Sequence, residues 1–152
     1  MGRLAEDEAV KQIKFSVPGP PFGKQRPKFS RAGKYVKTYT PDETVKYENL
    51  VKLMYQQEAK GKMFGEGVEL DVRIIAYFAV PKSTSKKKRK AMLEHKIRPV
   101  KKPDWDNIGK IICDSLNQVA YHDDSAVVDA QVRKFYSENP RVDVTIRVIE
   151  LD

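Results

Sequence analysis

The chain has 152 residues, 40% hydrophobic and 33% charged, with a formal net charge of +8. That length and balance fit one folded domain and exclude a disordered chain. No run is apolar for long enough to form a membrane-spanning helix, and a lone cysteine, Cys113, excludes an internal disulfide.

MGRLAEDEAVKQ is polar and acidic. It lacks the apolar core of a signal peptide, and Glu6 stands where a myristoylation signal has Ser or Thr, so a cytoplasmic protein is expected. Residues 1–11 read as a flexible segment ahead of a single domain spanning 1–152. Lys11 to Val17 alternates Ile13, Phe15 and Val17 and predicts a first strand. The following PGPPFGKQRPKFSRAGKYVKTY contains Pro18, Pro20, Pro21 and Pro27, which exclude helix. A long loop of this kind in a small domain is usually functional or mobile. Thr40-Pro41-Asp42-Glu43 has the residues of a capping box and predicts a helix to about Lys60, with Tyr47, Leu50, Val51 and Met54 inward. Val68 to Val80 predicts a long strand, apolar on both faces in its second half, as in a central strand.

Ser85 caps a short basic helix, Lys86 to Leu93, and Ile97 to Pro103 is then extended. Asp106 or Asn107 starts another helix with Ile108, Ile111, Ile112, Leu116 and Val119 toward the core. Cys113 reads as a small core residue. Ala126 to Tyr136 and Arg141 to Leu151 close the chain as strands joined by a hairpin turn at Asn139-Pro140. The order β-α-β-α-α-β-β predicts an α+β domain with a mixed sheet of about four strands and two main helices.

The charge is clustered. Lys82 to Lys102 holds ten basic residues against Glu94 alone, so the rest of the chain is close to neutral. Lys86, Lys87, Lys88, Arg89 and Lys90 lie on the short helix, with Lys101 and Lys102 beyond it. Lys24, Arg26, Lys28, Arg31 and Lys34 lie in the proline-rich loop. Such clusters suit a polyanion such as a phosphate backbone, although a charged run also serves simply as a solvated face.

Five aspartates follow this basic segment in KKPDWDNIGKIICDSLNQVAYHDD. An extended Asp104-Trp105 would point Asp104 and Asp106 the same way. A helix of about twelve residues spans about 18 Å. The segment from Val119 to Asp124, extended, covers roughly 20 Å, enough to return Asp123 or Asp124 to Asp104 and Asp106. Converging carboxylates repel unless one is protonated or a hard cation such as Mg²⁺ or Mn²⁺ sits among them. Asn107, Lys110, Asp114 and Asn117 form a polar stripe that also reads as a surface ladder of ion pairs, and Asp106 also reads as a helix cap. His122 reads as a half-exposed loop histidine, with a ligand as the alternative, and Trp105 as an aromatic closing the edge of the site, with stacking on a base as the alternative.

KPDWDNIGKIICDSLNQVAYHDDSAVV resembles the signature of RusA-type Holliday-junction resolvases, endonucleases of bacteria and their prophages. VPGPPFGKQRPKFS, TYTPDETVKYENLV and PKSTSKKKRKAML extend the likeness from about Ile13 to Ile149. The resemblance implies a homodimeric, Mg²⁺-dependent nuclease that makes paired nicks in four-way DNA junctions. It implies Asp104, Asp106 and Asp124 as metal-binding acids and Lys110 as the catalytic lysine, with Asn107, Asp114 and Asp123 secondary. Some members carry Arg before the first aspartate, where this chain has Pro103. The alternatives are a DNA-binding module that does not cut, or a metal-dependent nuclease acting on another nucleic-acid structure.

Overall fold

The computed structural model describes residues 9–24 and 42–150. The elements are strand β1 (Gln12–Pro18), helix α1 (Asp42–Ala59), strand β2 (Leu70–Ala79), helix α2 (Lys86–Leu93), helix α3 (Trp105–Ser115), a short 3-10 turn (Asp124–Ala126), and strands β3 (Val127–Ser137) and β4 (Arg141–Val148). Three helices and a four-stranded mixed sheet make the expected α+β domain. The residues of the capping box before Asp42, and Leu151, fall outside the described residues.

The strand order is β1-β4-β2-β3, with β4 antiparallel to β1 and β2 and with β3 parallel to β2. The expected hairpin between the last two strands does not form. The turn at Asn139-Pro140 carries the chain across the end of β2, which lies between them. The composition of the strands explains the outcome. β2 is the longest apolar run and takes a central place, with ladders on both sides. β3, with Val128, Asp129 and Ala130 exposed, is suited to an edge. The β2–α2–α3–β3 passage is therefore a crossover connection between parallel neighbours.

One face of the sheet carries the core. Phe15, Val17, Leu70, Val72, Ile74, Ala76, Val142, Val144 and Ile146 are buried there. Tyr47, Val51, Tyr55 and Ala59 of α1 and Ile108, Ile111 and Ile112 of α3 are buried in the same cluster. α1 packs on β1 and α3 on β3, and the two helices touch each other. Each fully buried Ile or Val contributes about 1.5–3 kcal/mol by removal from water. The opposite face bears the alternate residues, including Arg73, Arg133 and Arg147, and is open. At one end of that open face Tyr77 and Phe135 are neighbours, with Arg141 over the first ring at 4.1 Å and Arg98 over the second at 4.2 Å.

Candidate active site

Asp104 is the N-cap residue of α3, with extended backbone (φ −72°, ψ 155°). Its carbonyl accepts the Ile108 N–H at 3.0 Å, but its carboxylate makes no capping bond. By contrast, Ser85 caps α2 as expected, accepting from the Lys88 N–H at 3.3 Å. The Asp104 side chain is thus left available at a helix N-terminus. Asp106 lies in the first turn and has no hydrogen bond or ion pair among the described residues. The helix starts at Trp105, one or two residues before the expected position, so Trp105 is helical. The extended geometry that would have aimed Asp104 and Asp106 together does not hold.

The loop leaving β1 runs directly against this helix start. A Cβ on Gly23 would lie 2.7 Å from Pro103 Cβ and 3.2 Å from Asn107 Cβ, so the approach requires glycine. The Lys24 N–H donates to the Asn107 carbonyl at 2.8 Å. Pro21, Phe22, Gly23, Lys24, Pro103 and Asp104 are among the residues lining a cleft of about 450 Å³ at this contact. From there the Lys24 side chain reaches Glu48 of α1 at 2.9 Å and Asp114 of α3 at 3.8 Å. Lys24, expected on a phosphate-holding loop, is a partly buried ammonium paired with two acids. Arg26, Lys28, Arg31 and Lys34 lie outside the described residues.

Asp114 also pairs with Lys110 at 3.7 Å, along the helix. α3 ends at Ser115 with Leu116 as C-cap, before the expected inward position Val119, and the chain turns at once. The buried Tyr121 hydroxyl donates to the Cys113 carbonyl at 2.8 Å and pins the turn to the helix. The Asp124 N–H donates to Asn117 Oδ1 at 2.8 Å. Asp123 accepts from the Ser125 N–H at 3.0 Å and caps the 3-10 turn; these bonds to Ser125 lower its pKa. Asp124 therefore faces Asp114 and Lys110. Desolvation, the charges of Asp114 and Asp123, and a hydrogen bond to Asp114 raise its carboxyl above the usual range, against the pull of Lys110. Asp114 and Asp124 form a carboxyl pair suited to holding a shared proton. Cys113 packs against the core as expected, and burial pushes its thiol up to about 11.

This early turn also decides where the acids do not meet. Asp114 lies eight residues beyond Asp106, about 12 Å along the helix. Asp124 thus joins the C-terminal half of α3, while Asp104 lies at its start near Lys134. Lys134 is held by the Lys101 carbonyl at 2.6 Å, and desolvation lowers its pKa against the opposing charge of Asp104. Among the described residues no three Asp, Glu, His or Cys side chains gather closely enough to hold a metal ion, so Asp104, Asp106 and Asp124 do not form one three-carboxylate site. The oxygen-only donors suit a hard cation in their chemistry, but they do not close round one point as folded.

The profile of the family described as Endodeoxyribonuclease RusA matches residues 18–147. The chain belongs to this family. A Bacillus subtilis (strain 168) protein, YqaN, described as uncharacterized, is 40% identical over 139 residues, covering 90% of this chain and 96% of that protein. The RusA match runs from the end of β1 into β4 and includes every element around the aspartates. Lys86, Lys87, Lys88 and Lys90 of α2, with Lys101 and Lys102, present exposed charge, while Arg89 pairs with Glu138 at 3.1 Å. No helix among the described residues is long and apolar enough to cross a membrane.

Two charged residues beside these aspartates escaped the sequence reading. Glu48 lies between Tyr47 and Val51, on the inward side of α1, where an acid needs a partner. Lys134 shares the core-facing parity of Val132 and Tyr136 on β3. The period-two pattern contained that signal, because a lysine on the helix-covered face of a strand needs a local reason.

Proposed function

We propose that this RusA-family protein is a structure-selective endodeoxyribonuclease that resolves four-way DNA junctions by paired nicks. The observation that carries the reading is the polar stripe of α3, with Asp104 and Asp106 at its start, Lys110 in its middle and Asp124 against its end, beside the basic helix α2. Asp104 and Asp106, whose carboxylates make no bonds among the described residues, repel a phosphate on their own and would act on it through a bound cation. Lys110, exposed beside Asp114, balances charge developing on that phosphate or on the leaving oxygen. Exposed lysines on α2 and at 101–102 hold the DNA backbone, so binding falls steeply as salt rises. Asp104 and Asp106, with phosphate oxygens and waters completing the set, would be the residues to hold Mg²⁺, with Mn²⁺ as substitute; such an ion would polarise a phosphate oxygen and acidify bound water. A homodimer follows from the substrate, because two symmetric incisions in a two-fold junction need two equivalent sites.

The test is cleavage of a synthetic four-way junction and of a matched linear duplex, in Mg²⁺ and in EDTA. Symmetric nicks in the junction alone, lost in EDTA and in Asp106→Asn, are expected. An Asp106→Asn protein that binds the junction and cuts at the wild-type rate refutes the assignment. The separation of Asp104 and Asp106 from Asp124 favours one second reading, a module that binds branched DNA without cutting it. Tight binding with no product in Mg²⁺ or Mn²⁺ would select that reading. A panel of flap, duplex and RNA substrates distinguishes a nuclease of other specificity.

A further inference from the structure

Trp105 is the only tryptophan of the chain, and 65% of its surface is exposed. The expectation that it closes the edge of the site is not met. It stands at the first position of α3, between Asp104 and Asp106, and has no ring or cation–π partner among the described residues. Val100, in the same loop, is 99% exposed. Lys101 and Lys102 lie between these two apolar groups and are themselves exposed. An indole and an isopropyl group, five residues apart and both open to water at the mouth of the candidate site, are available to a partner that covers them.

The surrounding charge decides which partner. The loop ends the most basic segment of the chain, and α2 before it is an exposed lysine helix. A protein surface complementary to that charge would have to be acidic, whereas DNA supplies both phosphates for the lysines and flat apolar faces for the indole. In continuous duplex those faces are covered by neighbouring bases. At a branch the stack is interrupted, and a base face becomes available at little unstacking cost.

We propose that Trp105 is a stacking wedge that docks on the terminal base pair at a DNA branch, with Lys101 and Lys102 on the adjoining phosphates. The inference rests on the junction reading above and deepens it. It gives a source for structure selectivity that uses no base-edge hydrogen bond, so it is insensitive to sequence. Because the wedge adjoins Asp104 and Asp106, it sets the branch at a fixed distance from the candidate catalytic acids. Trp105 is thus a positioning residue.

The experiment uses the full chain in EDTA, where binding is read without cutting. Trp105 fluorescence is titrated with a four-way junction and with a linear duplex of the same sequence. Affinities of wild type, Trp105→Phe and Trp105→Ala are measured for both DNAs at two salt concentrations, with thermal melts to check folding. The junction is expected to quench the indole more strongly than the duplex. Trp105→Ala is expected to lose on the order of ten-fold in junction affinity, with duplex affinity and the salt dependence unchanged and with partial recovery in Trp105→Phe. A wild-type protein that prefers the junction while its indole is unmoved overturns the wedge alone. Fluorescence that shifts with protein concentration before DNA is added overturns it in favour of a contact between copies. Equal wild-type affinity for junction and duplex overturns the junction reading itself.

Discussion

Gly23→Ala is the sharpest test of the packing that joins the β1 loop to α3. The new methyl group would stand 2.7 Å from Pro103 Cβ, an atom of a rigid ring that cannot swing aside. Carbon atoms in contact sit at about 3.5–4.0 Å, so loop and helix must part by about 1 Å. The Lys24 N–H to Asn107 carbonyl bond is 2.8 Å, and that movement stretches it past the useful range. Overpacking costs about 1–3 kcal/mol and a lost hydrogen bond about 1 kcal/mol, and partial relaxation leaves roughly 2 kcal/mol in total. For a chain of this size that lowers Tm by about 4–8 °C. Gly65→Ala is the matched control, since a methyl group there meets nothing within 4 Å. It should be neutral or stabilising by about 0.4–1 kcal/mol through the unfolded state. Urea unfolding followed by circular dichroism compares the two variants with wild type. Equal midpoints for Gly23→Ala and Gly65→Ala would refute the close approach. If Gly23→Ala is destabilised as argued, its nuclease activity should fall further than its folded fraction, because Pro103 adjoins Asp104.

Three further outcomes are expected. Asp124 has a raised pKa in the folded protein, so its contribution to stability is full below the ordinary carboxylate value of about 3.9 and is lost as pH rises through the folded value. Asp124→Asn keeps a hydrogen-bonding group toward Asp114 without the charge, so it should raise Tm at pH 7, with the gain vanishing near pH 3; a gain that is equal at both pH values would exclude the carboxyl pair. Lys24→Met and Glu48→Gln should each cost about 1–2 kcal/mol, intermediate between surface and buried pairs, with a coupling of at least about 0.5 kcal/mol in a double-mutant cycle; strict additivity would show that the 2.9 Å contact carries no net energy. Ile111→Ala, at a fully buried position of α3, should cost about 2–5 kcal/mol by chemical denaturation.

The secondary structure was legible because each element carries its own period. Phe15 and Val17 mark β1, the Leu70-to-Ala76 alternation marks β2, and the isoleucines at 108, 111 and 112 mark α3. The order of strands was less legible. Nothing local in Arg141 to Val148 says that it pairs with β1 and β2 rather than with β3, because pairing partners are chosen by the burial of the whole sheet. The acid site was legible in residue type and illegible in position. The α3 pattern extends toward Val119, and only the turn held by Asn117, Gln118 and Tyr121 shows that Asp124 stops beside Asp114. Gln118 takes a left-handed backbone, φ 65°, without being glycine, so the usual signal for such a turn was missing. The exposure of Trp105 was likewise hidden, since an aromatic at the head of an amphipathic helix reads as covering the edge of the site until its surroundings are known.

The antiparallel ladder between β1 and β4 joins the two most distant segments of the described chain, from Gln12↔Arg147 to Pro18↔Arg141, and Lys11 forms an ion pair with Glu150 beyond its end. These ends are neighbours in space, which makes the domain a candidate for circular permutation. A short linker from Glu150 to Lys11 would turn β4 and β1 into consecutive strands of one hairpin, and the exposed Pro81–Thr84 turn is a place to reopen the chain. The permuted protein would begin with the basic helix and the acid stripe and finish with β2, the strand that binds the two halves of the sheet together. Its longest-range pairing would have become its most local one, so it should fold faster than the natural connectivity allows.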